Sequence, residues 1–176
     1  MSDLHLRDAL EGDQESIRDV TLAAYGVYAP VMGPHWQFYK QNILETLADV
    51  APAEQVVAER DGAVVGTVLL YPAGTVFRAP GAESIILTWP EMRLLAVAPA
   101  AQGLGIGAAL VKECISRARA SGTAELTLHT TEMMQVAMEM YERMGFHHAP
   151  ELDFHPVPDV TVKGYRLDLN AVLRAP

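Results

Sequence analysis

The chain has 176 residues, enough for one domain spanning 1–176 that buries about 70% of the surface its unfolded form exposes. Its formal net charge of −9 argues against a general nucleic-acid binder, whose affinity rests on Lys and Arg neutralising phosphates. One cysteine, Cys114, excludes an internal disulfide framework and a Cys-based zinc cluster, and it points to a reducing, cytoplasmic setting.

From the start, Leu4 to Arg7 alternates as a short strand. Gly12-Asp13 offers a stop and an N-cap, and Ile17, Val20, Leu22 and Ala24 set the apolar face of a first helix. A second helix runs from Pro34, which suits a first helical position, to Ala48. Gln55–Arg60 and Ala63–Tyr71, joined by Asp61-Gly62, form a β-hairpin. Pro72 to Pro90 is a long excursion carrying the apolar patch Ile85-Ile86-Leu87, and Glu91 to Ala98 is the next strand. A helix from Gly105 to Ala120 repeats Ile106, Leu110, Cys114 and Ala118 every four residues. A strand around Leu126 and Leu128 ends near His129.

Met133, Val136, Ala137, Met140, Tyr141 and Met144 stripe a last helix, closed by Gly145 as a left-handed cap with Phe146 packing back. In the final strand, Val160 to Leu169, the apolar phase switches at Lys163-Gly164, which predicts a bulge there. The order β-α-α-β-β-β-α-β-α-β implies an α/β (α+β) fold, a mixed sheet covered by helices. The uncharged run Leu94 to Val111 holds Pro99, Gln102 and three glycines, so it reads as strand, loop and helix start rather than as a membrane span. The first residues lack the apolar core of a secretory signal.

The chemistry centres on Leu94-Leu-Ala-Val-Ala-Pro-Ala-Ala-Gln-Gly-Leu-Gly-Ile-Gly-Ala-Ala-Leu110. A strand stops at Pro99 and a glycine-rich turn feeds an amphipathic helix, so clustered backbone N–H groups and a helix N-terminus could hold a pyrophosphate without a lysine. Gly103-x-Gly105-x-x-Ala108 formally fits a dinucleotide fingerprint. Pro99 to Gln102 intervene after the strand, however, and Glu125 opens the next strand instead of ending it, which disfavours nicotinamide binding.

The other frame, Gln102-x-x-Gly105-x-Gly107, resembles the acetyl-CoA-binding motif of GNAT acetyltransferases. The resemblance extends upstream through Glu91-Met-Arg-Leu-Leu-Ala-Val-Ala-Pro99. Downstream it takes in Ala137-Met-Glu-Met-Tyr141-Glu-Arg-Met-Gly145-Phe146, and the opening Leu6-Arg7-Asp8-Ala9 with Gly12-Asp13 is similar too. It implies the GNAT-like acyl-CoA N-acyltransferase fold, a central, mostly antiparallel mixed sheet flanked by helices. It also implies acetyl-CoA as cosubstrate. His147, His148 and His155 lack an i,i+4 pairing on a helix and accompany no Cys, so no metal is expected. The main chain of Leu95, Ala96 and Val97 would pair with the pantetheine arm. Amides of Gln102, Gly103, Leu104, Gly105, Ile106, Gly107 and Ala108 would hold the pyrophosphate, and Tyr141 would protonate the departing thiolate. Many relatives carry Asn where this chain has Met134, so that contact does not carry over.

An alkyl amine near pKa 10.4 is a free nucleophile in only about one molecule in 2,500 at pH 7, so something must accept its proton. Glu91, six residues before Val97 where some relatives carry a general-base glutamate, is the first candidate. Arg93, two residues along the same strand face, would lower its basicity. His129, titrating near neutrality, is the second. The acceptor is a small-molecule or peptide amine, with the loops Ala29–Pro34, Pro72–Pro90 and His147–Asp159 shaping its pocket. No nucleic-acid or membrane partner is expected, and a homodimer fits the family's habits. A catalytically degenerate acyl-CoA sensor is the alternative function. For each residue a plain structural role competes: Tyr141 as a core aromatic, Glu91 as a salt-bridged strand residue, His129 as a structural imidazole.

Overall fold

Period-two apolar runs become strands and period-four runs become helices, with several short additions between them. The computed structural model describes residues 4–77 and 84–171. In chain order these are β1 (Leu4–Asp8), α1 (Gln14–Gly26), α2 (Ala29–Met32), α3 (His35–Ala48), β2 (Glu54–Arg60) and β3 (Ala63–Tyr71). Then come β4 (Val76–Phe77), β5 (Ile85–Ile86), β6 (Glu91–Val97), α4 (Ile106–Ala120) and β7 (Glu125–Thr131). The chain closes with α5 (Gln135–Arg143), β8 (His147–His148), β9 (Phe154–Val157) and β10 (Val160–Asp168). Hydrogen bonds join the strands in the order β1-β2-β3-β6-β7-β10-β8, with β9 also on β10 and β4-β5 as a separate ribbon. The β6–β7 pair is parallel, and β1–β2, β2–β3 and β7–β10 are antiparallel, so the mixed, mostly antiparallel sheet expected from the sequence is present. Among the described residues no helix is long and apolar enough to cross a membrane.

Contacts divide the chain into two compact units, Met1–Leu70 with Leu94–Glu113, and Tyr71–Arg93 with Cys114–Pro176. In the first unit, Asp61 (φ 51) and Gly62 (φ 78) both take the left-handed conformation that a two-residue hairpin turn demands. Val56, Val57, Ala58, Val68 and Leu69 are buried in succession, which means both faces of the hairpin are covered. Ile17 and Thr21 of α1 and Ile43 of α3 are fully buried, while Leu22 is only half-buried.

Two expectations need correction in this unit. Asp13 does not cap α1 through its side chain. It accepts the Leu10 N–H at 2.8 Å and pairs with Arg7 at 2.6 Å, Arg7 also reaching Glu59 at 2.7 Å. The Arg7 hydrogen bond, then that of Leu10, holds the Asp13 carboxyl below its ordinary range. Pro34 stands one position before α3, at its N-cap, because the missing N–H costs nothing there either.

The second unit is built on β10. Its register with β7 is continuous from Val162↔Thr131 to Asp168↔Glu125, so no bulge exists at Lys163-Gly164. The irregularity falls instead between Val160 and Val162, against β9. Gly164 is there for space: a Cβ would overlap that of Leu152 and lie 3.1 Å from the Leu152 Cα and carbonyl carbon. The turn carrying Leu152 is tied to the same glycine on both sides. Ala149 N–H donates to the Gly164 carbonyl at 2.8 Å, and Gly164 N–H donates to Asp153 Oδ1 at 2.9 Å.

The segment expected as a loop, His147–Asp159, thus supplies β8 and β9, and the excursion after Tyr71 supplies the β4–β5 ribbon; residues 78–83 lie outside the described residues. In α5, Tyr141 is buried but Val136 is 80% exposed, which removes it from the apolar stripe. The helix starts only at Gln135, and Met134, before it, takes the buried position. Gly145 has φ 95, and Phe146 N–H returns to the Tyr141 carbonyl at 3.0 Å, closing α5 as the sequence suggested.

Candidate active site

In the first unit the cofactor candidates lie on one continuous strand, turn and helix start. Leu94 adopts φ 49, uncommon for a branched residue, and it redirects β6 just before Leu95, Ala96 and Val97. The Leu95 carbonyl accepts the Tyr25 hydroxyl at 3.2 Å, and the Val97 carbonyl accepts Gln102 Nε2 at 3.3 Å. A single 3-10 turn, Pro99–Ala101, ends the strand. Gly103 (φ 77) and Gly105 (φ 78) then reverse the chain into α4, and no atom lies within 4 Å of where their Cβ atoms would stand. Their need is therefore conformational, the left-handed backbone that other residues enter at a cost.

Gln102 to Gly105 are exposed, whereas Ala101, Ile106 and Leu110 on either side are buried and anchor the turn. Ala109 N–H donates to the Gly105 carbonyl at 3.0 Å, so the amides from Ile106 to Ala108 precede the first helical bond of α4. Orphan donors at a helix start suit an anion. Replacing Gly105 by Val is expected to weaken acetyl-CoA binding at least tenfold by calorimetry; an unchanged Kd would detach this turn from the cofactor.

Gly66 of β3 is a positioning residue that sequence reading passed over. A Cβ on it would lie 3.0 Å from Leu110 Cδ1, 3.1 Å from Ile106 Cγ2 and 3.2 Å from the Ala96 carbonyl. The start of α4 packs onto bare backbone there. The register of β2 on β3 also shifts beside it, between Ala58 and Glu59. An isolated glycine inside an apolar strand was the available signal.

In the second unit the structure brings together the two candidate bases. Glu91 and Met92 pair in parallel with Thr127 and Leu128 of β7, and Pro90 accepts the Thr127 N–H at 2.9 Å. That register sets Glu91 beside His129: Oε2 is 3.2 Å from Nδ1, an oblique approach that makes an ion pair more than an aligned hydrogen bond. Oε1 accepts Arg93 Nε at 2.6 Å. The other imidazole nitrogen, Nε2, lies 3.0 Å from the Leu152 carbonyl. Both ring nitrogens thus face oxygens that only accept, which favours the doubly protonated imidazolium.

Burial raises the Glu91 carboxyl, but His129 and Arg93 outweigh it and hold it below its ordinary value. Burial likewise lowers His129, and Glu91 with the Leu152 carbonyl more than restores it, leaving the imidazole above its ordinary value. Glu91 is 3% exposed at its side chain, His129 21% and Arg93 37%. Tyr141, also in this unit, is 6% exposed and packs edge-on against Phe146 at 5.8 Å.

The family model for GNAT acetyltransferases matches residues 18–146. The chain belongs to that family. A member of that family, it is 29% identical to the "Probable N-acetyltransferase camello" of Xenopus tropicalis over 155 residues, 84% of this chain and 66% of that protein. It is 30% identical to an uncharacterised N-acetyltransferase of Schizosaccharomyces pombe over 105 residues, 60% of this chain and 58% of that one. It therefore spans less than two thirds of the length of either relative. Among solved structures, a GNAT acetyltransferase of Brucella melitensis in complex with acetyl-CoA shares 29% identity, covers 92% of this chain and 95% of its own, and superposes with a TM-score of 0.59. A GNAT acetyltransferase of Staphylococcus aureus, 15% identical with a TM-score of 0.68 over 95% of this chain and 99% of its own, shares the fold.

Proposed function

We propose that this GNAT chain is a cytoplasmic N-acetyltransferase that moves an acetyl group from acetyl-CoA to a primary amine by direct attack on the thioester. The observation that supports this most is the exposed turn Gln102–Gly105 running into the amides that precede the first helical bond of α4, in a chain similar to an acetyl-CoA-bound GNAT enzyme. Amides from Gln102 to Ala108 hold the pyrophosphate, and the strand Leu95–Val97 lines the pantetheine arm. The Gln102 side chain, exposed and only weakly held at 3.3 Å, gives up the Val97 carbonyl as the arm arrives.

In the transfer, the amine nitrogen bonds to the acetyl carbon, the carbon–sulfur bond breaks, and Tyr141 gives its proton to the leaving thiolate. The proton lost by the amine passes to Glu91 through water, since the carboxylate is too deeply covered for direct contact. Glu91 remains ionised, and so able to accept, across the neutral range. His129 can accept only after the pH rises above its elevated pKa. The acidic limb of kcat therefore separates the two bases: below the usual carboxylate range for Glu91, above 6.5 for His129.

A second reading, a sensor that binds acyl-CoA without turnover, draws on the engagement of both Glu91 oxygens by cations. An amine-panel assay with the Tyr141→Phe variant tests both. Loss of turnover by about 100-fold with unchanged acetyl-CoA affinity is expected for the general acid. Unchanged turnover would remove Tyr141 from the mechanism. A wild-type protein that binds acetyl-CoA and acetylates no amine would leave the sensor.

A further inference from the structure

The carboxylate proposed as base is shielded by cations, and it is the cations that meet solvent. Side-chain exposure rises from 3% at Glu91 through 21% at His129 to 37% at Arg93. Arg93 offsets the charge of Glu91, and whenever His129 is protonated the cluster carries about one net positive charge inside a protein of net charge −9. A bare amine acceptor, itself cationic, gains nothing from such an entrance. An acceptor that also carries an anion does.

Arg93 is held in a way that suits this. Its Nε is bonded to Glu91 Oε1 at 2.6 Å, and its guanidinium carbon lies 3.7 Å over the Phe77 ring and 5.8 Å from that of Tyr71. Those two rings meet edge-on at 5.0 Å, which fixes the platform. The guanidinium is thus stacked and tethered by one nitrogen, and among the described residues its two terminal nitrogens, Nη1 and Nη2, have no acceptor. That remaining edge is the planar fork that takes a carboxylate with two parallel bonds, at little further loss of side-chain freedom. Phe154, 47% exposed and edge-on to His129 at 5.3 Å, adds an apolar flank to the cluster.

From this arrangement we propose that the acceptor is an amine bearing a carboxylate, of the amino-acid class, and that Arg93 is the residue that binds its carboxylate. The assignment rests on the acetyl-transfer reading for the amine half of the substrate only. No bond is made or broken at Arg93; it orients the acceptor, with the apolar part of the substrate against Phe77 and Phe154.

The test separates carboxylate recognition from turnover by using product-like probes. CoA-saturated protein is titrated with N-acetylglycine and N-acetylphenylalanine, and with the carboxamide of each, in wild type and in Arg93→Lys and Arg93→Gln. Arg93→Lys keeps the charge beside Glu91, and melting temperatures report whether each variant is folded. Wild type is expected to bind at least one acid about tenfold to a hundredfold more tightly than its amide, with Arg93→Lys losing most of that ratio. In the amine panel the same variant raises KM for amino acids without changing the affinity for acetyl-CoA. Equal affinity for acids and amides, no binding of either acid, or a ratio that survives in folded Arg93→Lys would each overturn the proposal. Failure of the acetyl-transfer reading shows separately, as absent turnover with the acid preference intact.

Discussion

Gly164→Ala is expected to destabilise the protein by about 3 kcal/mol, near the upper end for overpacking, because the added methyl meets backbone that cannot rotate away. For a chain of this length that lowers the melting temperature by about 6–12 °C. The clash is with Leu152, whose turn is tied back to Gly164 through Ala149 and Asp153, so relief on one side breaks hydrogen bonds on the other. The effect reaches the candidate site as well. Leu152 supplies the carbonyl that faces His129 Nε2 at 3.0 Å, and displacing it removes one of the two acceptors that keep the imidazole protonated. Thermal unfolding followed by circular dichroism measures the first consequence, and the His129 titration by NMR, shifted to lower pH, measures the second. A melting temperature within 2 °C of wild type would mean that the turn shifts without resistance.

His129→Gln is expected to cost about 3 kcal/mol near pH 5.5, since it leaves a buried carboxylate with Arg93 alone. The pH dependence follows from the direction of each shift. His129 is raised above 6.5 in the fold, so its contribution is complete below 6.5 and is lost as pH climbs through the elevated value. Glu91 is lowered below 4.5, so its contribution is complete above 4.5 and is lost as pH falls through the depressed value. The pair therefore contributes most between 4.5 and 6.5. The gap in melting temperature between wild type and His129→Gln should be about 6–12 °C there and shrink as pH climbs through the elevated His129 value, where wild type also loses the charge. A gap that stays the same after the His129 imidazole has lost its proton, as its NMR titration reports, would show that His129 is not the partner cation of Glu91.

The sequence carried the local parts of this molecule well, and for physical reasons. Asp61-Gly62 announced its hairpin because few residues tolerate two successive left-handed positions. The strand stop at Pro99 and the glycines after it marked the turn into α4 because nothing else in the chain joins those signals. Non-local facts were not legible. Glu91 and His129 were separate candidates until the parallel register of β6 on β7 set them side by side, and a parallel pair needs a crossover whose register no turn specifies. Gly164 was misread as a bulge because a glycine that relieves backbone strain and one that clears room for a neighbour look identical in sequence; Leu152, which decides between them, comes from another segment. Val136 entered the stripe of α5 because the apolar period was counted from Met133, which lies ahead of a helix that begins only at Gln135. The two-residue strand at His147–His148 has no apolar alternation to reveal it.

The measurement that bears most directly on function is a calorimetric titration of the intact chain with acetyl-CoA, with desulfo-CoA and NADH as comparisons. Micromolar binding of acetyl-CoA, comparable binding of desulfo-CoA through the same pyrophosphate contacts, and no heat from NADH are the expected results. Absence of acetyl-CoA binding, or NADH binding of equal strength, would contradict the assignment of the Gln102–Ala108 turn as an acetyl-CoA site.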